Sequence, residues 1–92
     1  MSIVDNVARG RFEYEVEGRT AFIDYRRNGK TLSLTHAEVP RELEGRGVGS
    51  AMAQATFDLI RERGESIIPL CSFIVAFVDR HPEYRDMVVS TH

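Results

Sequence analysis

The chain has 92 residues, 42% hydrophobic and 28% charged, with a formal net charge of −2, which bounds it to one small domain of ordinary globular composition. That balance argues against a nucleic-acid binder, which carries a basic surplus or stripe; eleven arginines and one lysine are scattered among acids here. A single cysteine excludes an internal disulfide and a cysteine-based zinc site, and neither a signal-peptide core nor a membrane-spanning run is seen, so a cytoplasmic protein without metal is expected.

Residues 1–10 carry no period and read as a flexible lead-in to a domain over residues 11–89, with 90–92, including His92, as a tail. Arg11 to Glu17 alternates, with Phe12, Tyr14 and Val16 on one face, the pattern of a half-buried strand. Gly18 marks a turn, and Thr20 to Arg27 is a second strand with Ala21, Ile23 and Tyr25 sharing a face. Asn28-Gly29 is the signal for a type I′ hairpin turn. From Lys30 a third strand follows, with Leu32, Leu34 and His36 on one side, completing an antiparallel meander. The alternation then slips: Val39 is one place out of phase, and a bulge near Ala37-Glu38 would restore its facing. Pro40, which has no donor, ends the ladder.

Next comes the stretch with the most chemical content, Glu42 to Ala51, with glycines at 45, 47 and 49. A helix is predicted from Gly47 or Val48 to Arg63, with one apolar stripe through Val48, Ala51, Met52, Ala55 and Leu59 and a second through Ala53, Phe57 and Ile60. Gly64 supplies its stop. Glycines let a backbone come close to a phosphate, and the first turn of a helix adds unpaired N–H groups and the positive end of a dipole. The reading is a pyrophosphate-bearing ligand; the alternative is a glycine-rich turn entering a helix with no ligand. The pattern fails as a P-loop, since no Lys-Ser or Lys-Thr follows, and as a dinucleotide fingerprint, since Ser50 replaces the third glycine and hairpins precede it.

Ser66 to Leu70 is short, apolar and β-branched, and a strand–helix–strand order implies that it pairs parallel to the third strand. Pro69 is awkward in a paired strand unless the two strands part near Leu70, which would open a cleft. Ser72 is placed to cap a second helix, Phe73 to about Arg80, which His81-Pro82 ends. Tyr84 to Val89 reads as a last short strand. The fold class is α+β.

The segments Leu34-Thr35-His36-Ala37-Glu38-Val39-Pro40, Glu42-Leu43-Glu44-Gly45-Arg46-Gly47-Val48-Gly49-Ser50, Pro69-Leu70-Cys71 and His81-Pro82-Glu83-Tyr84 together make the chain similar to the GNAT superfamily of acetyl-CoA-dependent N-acetyltransferases, in its minimal, YjdJ-type branch. The family hallmark, Arg/Gln-x-x-Gly-x-Gly/Ala, is met except that Glu44 holds the Arg/Gln place. The resemblance implies a truncated GNAT fold with acetyl-CoA in the V between the third and fourth strands. It also implies a pyrophosphate held by backbone N–H groups in Glu44, Gly45, Arg46, Gly47, Val48, Gly49 and Ser50, and a pantetheine arm pairing at Val39. A carboxylate beside phosphates is unfavourable unless it points away, which leaves binding to the backbone with Arg46 as a screen.

Acetyl transfer needs a deprotonated amine and a proton for the departing thiolate. Many GNAT enzymes draw that proton from a tyrosine in the second helix; the comparable place here is Phe77, and Tyr84 is the candidate substitute. Cys71 sits at a strand end just before a helix, where the dipole favours a thiolate. Resemblance to the minimal branch supports it as a transient acetyl acceptor or as the group attending the leaving thiolate; the alternative is a small buried hydrophobe. His36 is a candidate general base for the amine or a partner for Cys71; the alternative is a histidine bonded to a carbonyl. Glu38 could take the amine proton through water, or be a solvated edge carboxylate. His81 reads as a helix C-terminal cap, Arg80 as a surface residue with CoA phosphates as the alternative, and Phe73 and Phe77 as core. The expected function is acetyl transfer from acetyl-CoA to an unidentified amine, with a non-catalytic acetyl-CoA-binding or sensor module as the alternative. A monomer or weak homodimer is expected.

Overall fold

Alternation of apolar side chains builds a five-stranded sheet whose order follows the chain, β1-β2-β3-β4-β5. The computed structural model describes residues 3–89. The strands are β1 (Ile3–Asn6), β2 (Arg11–Val16), β3 (Arg19–Asn28), β4 (Thr31–Glu38) and β5 (Ser66–Pro69), and the helices are α1 (Val48–Glu62) and α2 (Ser72–Arg80). The first four strands are antiparallel neighbours, and β5 pairs parallel to β4. This is the predicted meander, helix, parallel strand and helix.

The lead-in is corrected. Ile3–Asn6 pairs with β2 as an edge strand, and Val7–Arg9 makes one 3-10 turn. The strand is too short to show a period, and polar contacts tie it down: Asp5 accepts hydrogen bonds from Tyr25 Oη at 2.6 Å and Arg63 Nη1 at 2.7 Å. The hairpin turns are also reassigned. Asn28 pairs with Thr31, so the β3–β4 turn is Gly29-Lys30, with positive φ at Gly29 alone, a type II′ rather than I′ pattern. Two successive positive φ values occur instead in the β2–β3 turn, at Glu17 (53°) and Gly18 (76°).

The bulge lies at Thr35 rather than at Ala37-Glu38: Tyr25 faces Leu34 and Asp24 faces His36, leaving Thr35 extra. Its hydroxyl donates to Asp24 O at 3.4 Å. Sequence phase shows that a slip occurs before Val39, but Thr35, His36 and Ala37 are each tolerable on either face, so the place of the slip is ambiguous. The predicted strand over 84–89 is replaced by a 3-10 turn, Pro82–Met87, because Pro82 starts it in helical geometry. Only Val88 forms a bridge, to Ile67, with Val89 N–H donating to Ile67 O at 2.9 Å.

Both helices cover one face of the sheet. Phe12, Ile23, Leu32, Leu34 and Ile67 on that face are fully buried, together with Met52, Phe57 and Ile60 from α1 and Ile74 and Phe77 from α2. The rings of Phe57 and Phe77 meet with centroids 5.2 Å apart, joining the helices. Each such side chain contributes about 1.5–3 kcal/mol by burial. Residues of the other face, among them Phe22, Asp24, His36 and Glu38, stay half-buried or exposed. Helix α1 stops as predicted: Gly64 adopts φ 70°, and the N–H groups of Gly64 and Glu65 donate to Arg61 O and Ile60 O, a Schellman closure.

Candidate functional site

The site begins where β4 and β5 stop pairing. Their last pair is Leu34 with Pro69, where the missing proline N–H does no harm. Leu34 O then accepts from both Leu70 N–H and Cys71 N–H at 3.1 Å, and the chain turns away into α2. Strand β4 continues to Glu38, held only by β3. The result is a gap with β4 on one side and the start of α2 on the other. By shifting the phase, the bulge at Thr35 turns Ala37, which faces Ile23, and Val39 toward the helix side, where both pack against the core.

After Pro40 a 3-10 turn, Arg41–Leu43, buries Leu43 and aims the chain at α1. Gly45 and Gly47 adopt φ of 79° and 75°, so the loop takes a course that side-chain-bearing residues rarely follow. Gly47 is the N-cap of α1 and has no side chain to offer the helix. The N–H of Glu44 already donates to Arg41 O at 3.2 Å, so it drops out of the predicted donors; after it, the next N–H with a backbone partner is that of Ala51, on Gly47 O at 3.0 Å. No hydrogen bond joins the N–H groups of Gly45 to Ser50 to another described residue. They are donors at the positive end of a fifteen-residue helix.

A cavity of about 220 Å³ lies beside these donors. It is lined by Val39, Glu44, Gly45, Gly47, Val48, Gly49 and Ser50, all on the predicted binding list, together with Leu43 and Phe73. Arg46 is not on that wall. Its guanidinium turns to the β2–β3 turn and donates to both carboxylate oxygens of Glu17, at 2.6 and 3.1 Å. The pair holds the Glu17 carboxyl below its usual range and raises Arg46. Arg46 is thus engaged away from the cavity, and Glu44 is the only ionisable side chain on its lining.

Phe73 is half-buried on the cavity wall rather than in the core. The reason is local. A Cβ built on Gly49 would stand 3.0 Å from Phe73 Cζ and 3.5 Å from Val39 Cγ2, so the missing side chain lets ring, strand and helix converge. Its place just past the end of β5 was the signal for a wall position, and its apolar character hid it.

Cys71, not Ser72, is the N-cap of α2, with extended backbone (φ −86°, ψ 134°) and no side-chain capping bond. It is half-buried and packs against the core beside the gap, off the cavity wall. His36 is not brought to it. With Thr35 bulged, His36 faces away from Leu32 and Leu34, exposed on the uncovered side of the sheet. There its Nε2 lies 3.7 Å from Glu38 Oε1, and its ring centroid lies 6.2 Å from that of Phe22.

Tyr84 is removed from the gap. Its hydroxyl donates to Asp58 at 2.7 Å, and its ring packs on Phe57 and Phe77. Burial first, then the bond to Asp58, push its phenol up to about 12. Phe77 lies wholly in the core, as predicted. His81 caps α2, its Nδ1 lying 2.8 Å from Phe77 O, which requires a proton on that nitrogen. Arg80 is exposed. No group of three His, Cys, Asp or Glu that could hold a metal is present among the described residues, and no helix among them is long and apolar enough to cross a membrane.

Known proteins resemble the chain. The chain is 32% identical over 62 residues to protein NATD1 of Danio rerio, covering 65% of this chain and 56% of that one. It is 34% identical over 53 residues to protein NATD1 of Xenopus tropicalis, covering 58% and 49%. The chain thus spans about half the length of these curated relatives. The solution structure of a GCN5-like protein from Staphylococcus aureus superposes with a TM-score of 0.72 at 26% identity, over 99% of this chain and 90% of that one. The family profile of the GCN5-related N-acetyl-transferases matches residues 11–87, and the chain belongs to that family.

Proposed function

We propose that the protein binds acetyl-CoA at the glycine loop and transfers its acetyl group to an amine. The observation that carries this reading is the run of backbone N–H groups from Gly45 to Ser50, without protein acceptors among the described residues, beside a cavity and the β4–β5 gap. Those donors hold the pyrophosphate, and the backbone at Val39 pairs with the pantetheine arm. Glycines at 45 and 47 allow the loop its course, and the helix dipole favours the anion.

In the transfer the amine nitrogen bonds to the thioester carbonyl carbon, the carbon–sulfur bond breaks, and the thiolate takes a proton. Cys71 flanks the gap and is the chain's candidate for attending the thiolate or carrying the acetyl group as a thioester. His36 and Glu38, on the uncovered face at the end of β4, are the candidates for taking the amine proton. The YjdJ-type branch and a cytoplasmic location belong to the same proposal.

A second reading, acetyl-CoA binding without catalysis, is favoured by two observations: Phe77 and Tyr84 are locked in the core cluster, and Glu44 stands on the cavity wall. Calorimetric titration with acetyl-CoA, followed by a panel of amines assayed for thiol release, separates the readings. Binding with amine-dependent release is the expected result. Binding without release supports the second reading, and no binding at millimolar ligand rejects both.

A further inference from the structure

We propose that Glu17 is the positioning residue of the glycine loop, anchoring it to the β2–β3 turn through Arg46 so that this arginine acts as a strut and not as a phosphate ligand. The inference rests on the reading that the loop binds the pyrophosphate of CoA.

The turn itself supplies the first argument. Val16 pairs with Arg19, so Glu17 and Gly18 form a two-residue hairpin loop, and both have positive φ. Asn and Gly hold the first position of such a turn with least strain, and a glutamate there is locally unfavourable. Glu17 is the only non-glycine with positive φ among the described residues. Local backbone preference does not select this residue; what its carboxylate does for the loop gives the reason.

Its carboxylate meets the guanidinium of Arg46 with two hydrogen bonds, the planar fork geometry that arginine offers. Arg46 is the residue between Gly45 and Gly47, the two positions with the greatest backbone freedom. The loop is otherwise anchored at its ends, by buried Leu43 and Val48. Beside this contact Arg19 Nε, at the start of β3, lies 3.8 Å from Glu42 Oε1 in the 3-10 turn that precedes the glycines, a second ion pair of reversed polarity between neighbouring segments. Both pairs are exposed, and exposed pairs add little to global stability. They need not. A short loop with two free glycines requires only a shift in its own population, and a shift of about threefold to fivefold is within reach of such contacts.

Two outcomes of opposite sign separate a strut from a masked phosphate ligand. Glu17→Asn installs the residue that the turn prefers and removes the anchor. If Glu17 only masks Arg46, freeing the arginine and deleting a negative charge must tighten CoA binding. If Glu17 positions the loop, binding weakens although the turn is improved. The expected results are an unchanged or higher Tm with a CoA Kd raised about threefold to fivefold, the same weakening in Arg46→Gln, and no further loss in the double variant, because one contact is removed twice. Tighter binding by Glu17→Asn, additive losses, or unchanged Kd values in both single variants would overturn the proposal. Backbone ¹⁵N order parameters of the ligand-free proteins give a separate readout: values at Gly45 and Gly47 fall in both variants, and unchanged values reject the strut. If the unmodified protein binds no CoA, the binding reading fails, and the order parameters still decide whether the strut exists.

Discussion

Gly47 and Gly49 are two residues apart, yet alanine should act at them in opposite ways. At Gly47 an added Cβ meets nothing within 4 Å, so the whole cost comes from φ 75°, a left-handed conformation that disfavours a side chain by about 1 kcal/mol or somewhat more. For a domain of this size each kcal/mol moves Tm by about 4–8 °C, and a fall of that order is expected. Gly49 lies inside α1 with ordinary helical geometry, where replacing glycine by alanine gains about 0.5–1 kcal/mol of helix preference. Against this, the new methyl stands 3.0 Å from Phe73 Cζ and 3.3 Å from Cε1, so the ring must move by a few tenths of an ångström. The ring tip is the free end of a half-buried side chain and can give way, leaving stability within about 0.5 kcal/mol of the parent. The same methyl narrows the cavity between Val39 and Phe73, and a ligand forced past it loses about tenfold in affinity. Thermal unfolding followed by circular dichroism, with calorimetric titration of CoA, reads both quantities. Equal losses of Tm in Gly47→Ala and Gly49→Ala would show that the ring cannot yield, and unaltered affinity in Gly49→Ala would show that the ligand does not run there.

Tyr84→Phe removes the hydroxyl held by Asp58 and should cost about 1–2 kcal/mol while leaving CoA affinity unchanged; a loss of affinity would return Tyr84 to the site. The phenol titrates near 10 when unfolded and about 12 when folded, so its stabilisation is intact below pH 10 and is lost as the pH rises toward 12. Alkaline unfolding curves should show that limb in the parent and a smaller one in Tyr84→Phe, where Tyr25, also raised by burial and by its bond to Asp5, keeps its share. Incubation with acetyl-CoA followed by mass spectrometry should add one acetyl group if Cys71 carries it, and an adduct that persists in Cys71→Ser would exclude a thioester there. His36→Ala should change stability by less than about 0.5 kcal/mol, since the side chain is exposed, while lowering amine-dependent thiol release. Unaltered release would remove His36 as the base.

The parts of the fold legible in the sequence are those written in hydrophobic period. Phe12, Ile23, Leu32 and Leu34 announce their strands, and the stripes through Met52 and Phe57 announce α1, because burial on one face enforces a two- or 3.6-residue repeat. Gly64 and Pro82 mark ends through φ and a missing donor. Strand β1 was not legible, since it is held by Asp5 contacts to residues far along the chain. The same is true of Arg46: its partner lies 29 residues away, and no local pattern records a hydrogen bond of that range. The glycine loop was visible because its chemistry resides in consecutive backbone groups. The orientation of His36 was not, because one extra residue at Thr35 reverses every facing after it.

Backbone amide shifts during titration with CoA bear most directly on ligand capture by main-chain donors at the head of α1. The N–H signals of Gly45 to Ser50 should move first and farthest, with Val39 next, while Tyr84 and β1 stay still. Saturating ligand that leaves these six signals in place, or moves signals elsewhere instead, would contradict it.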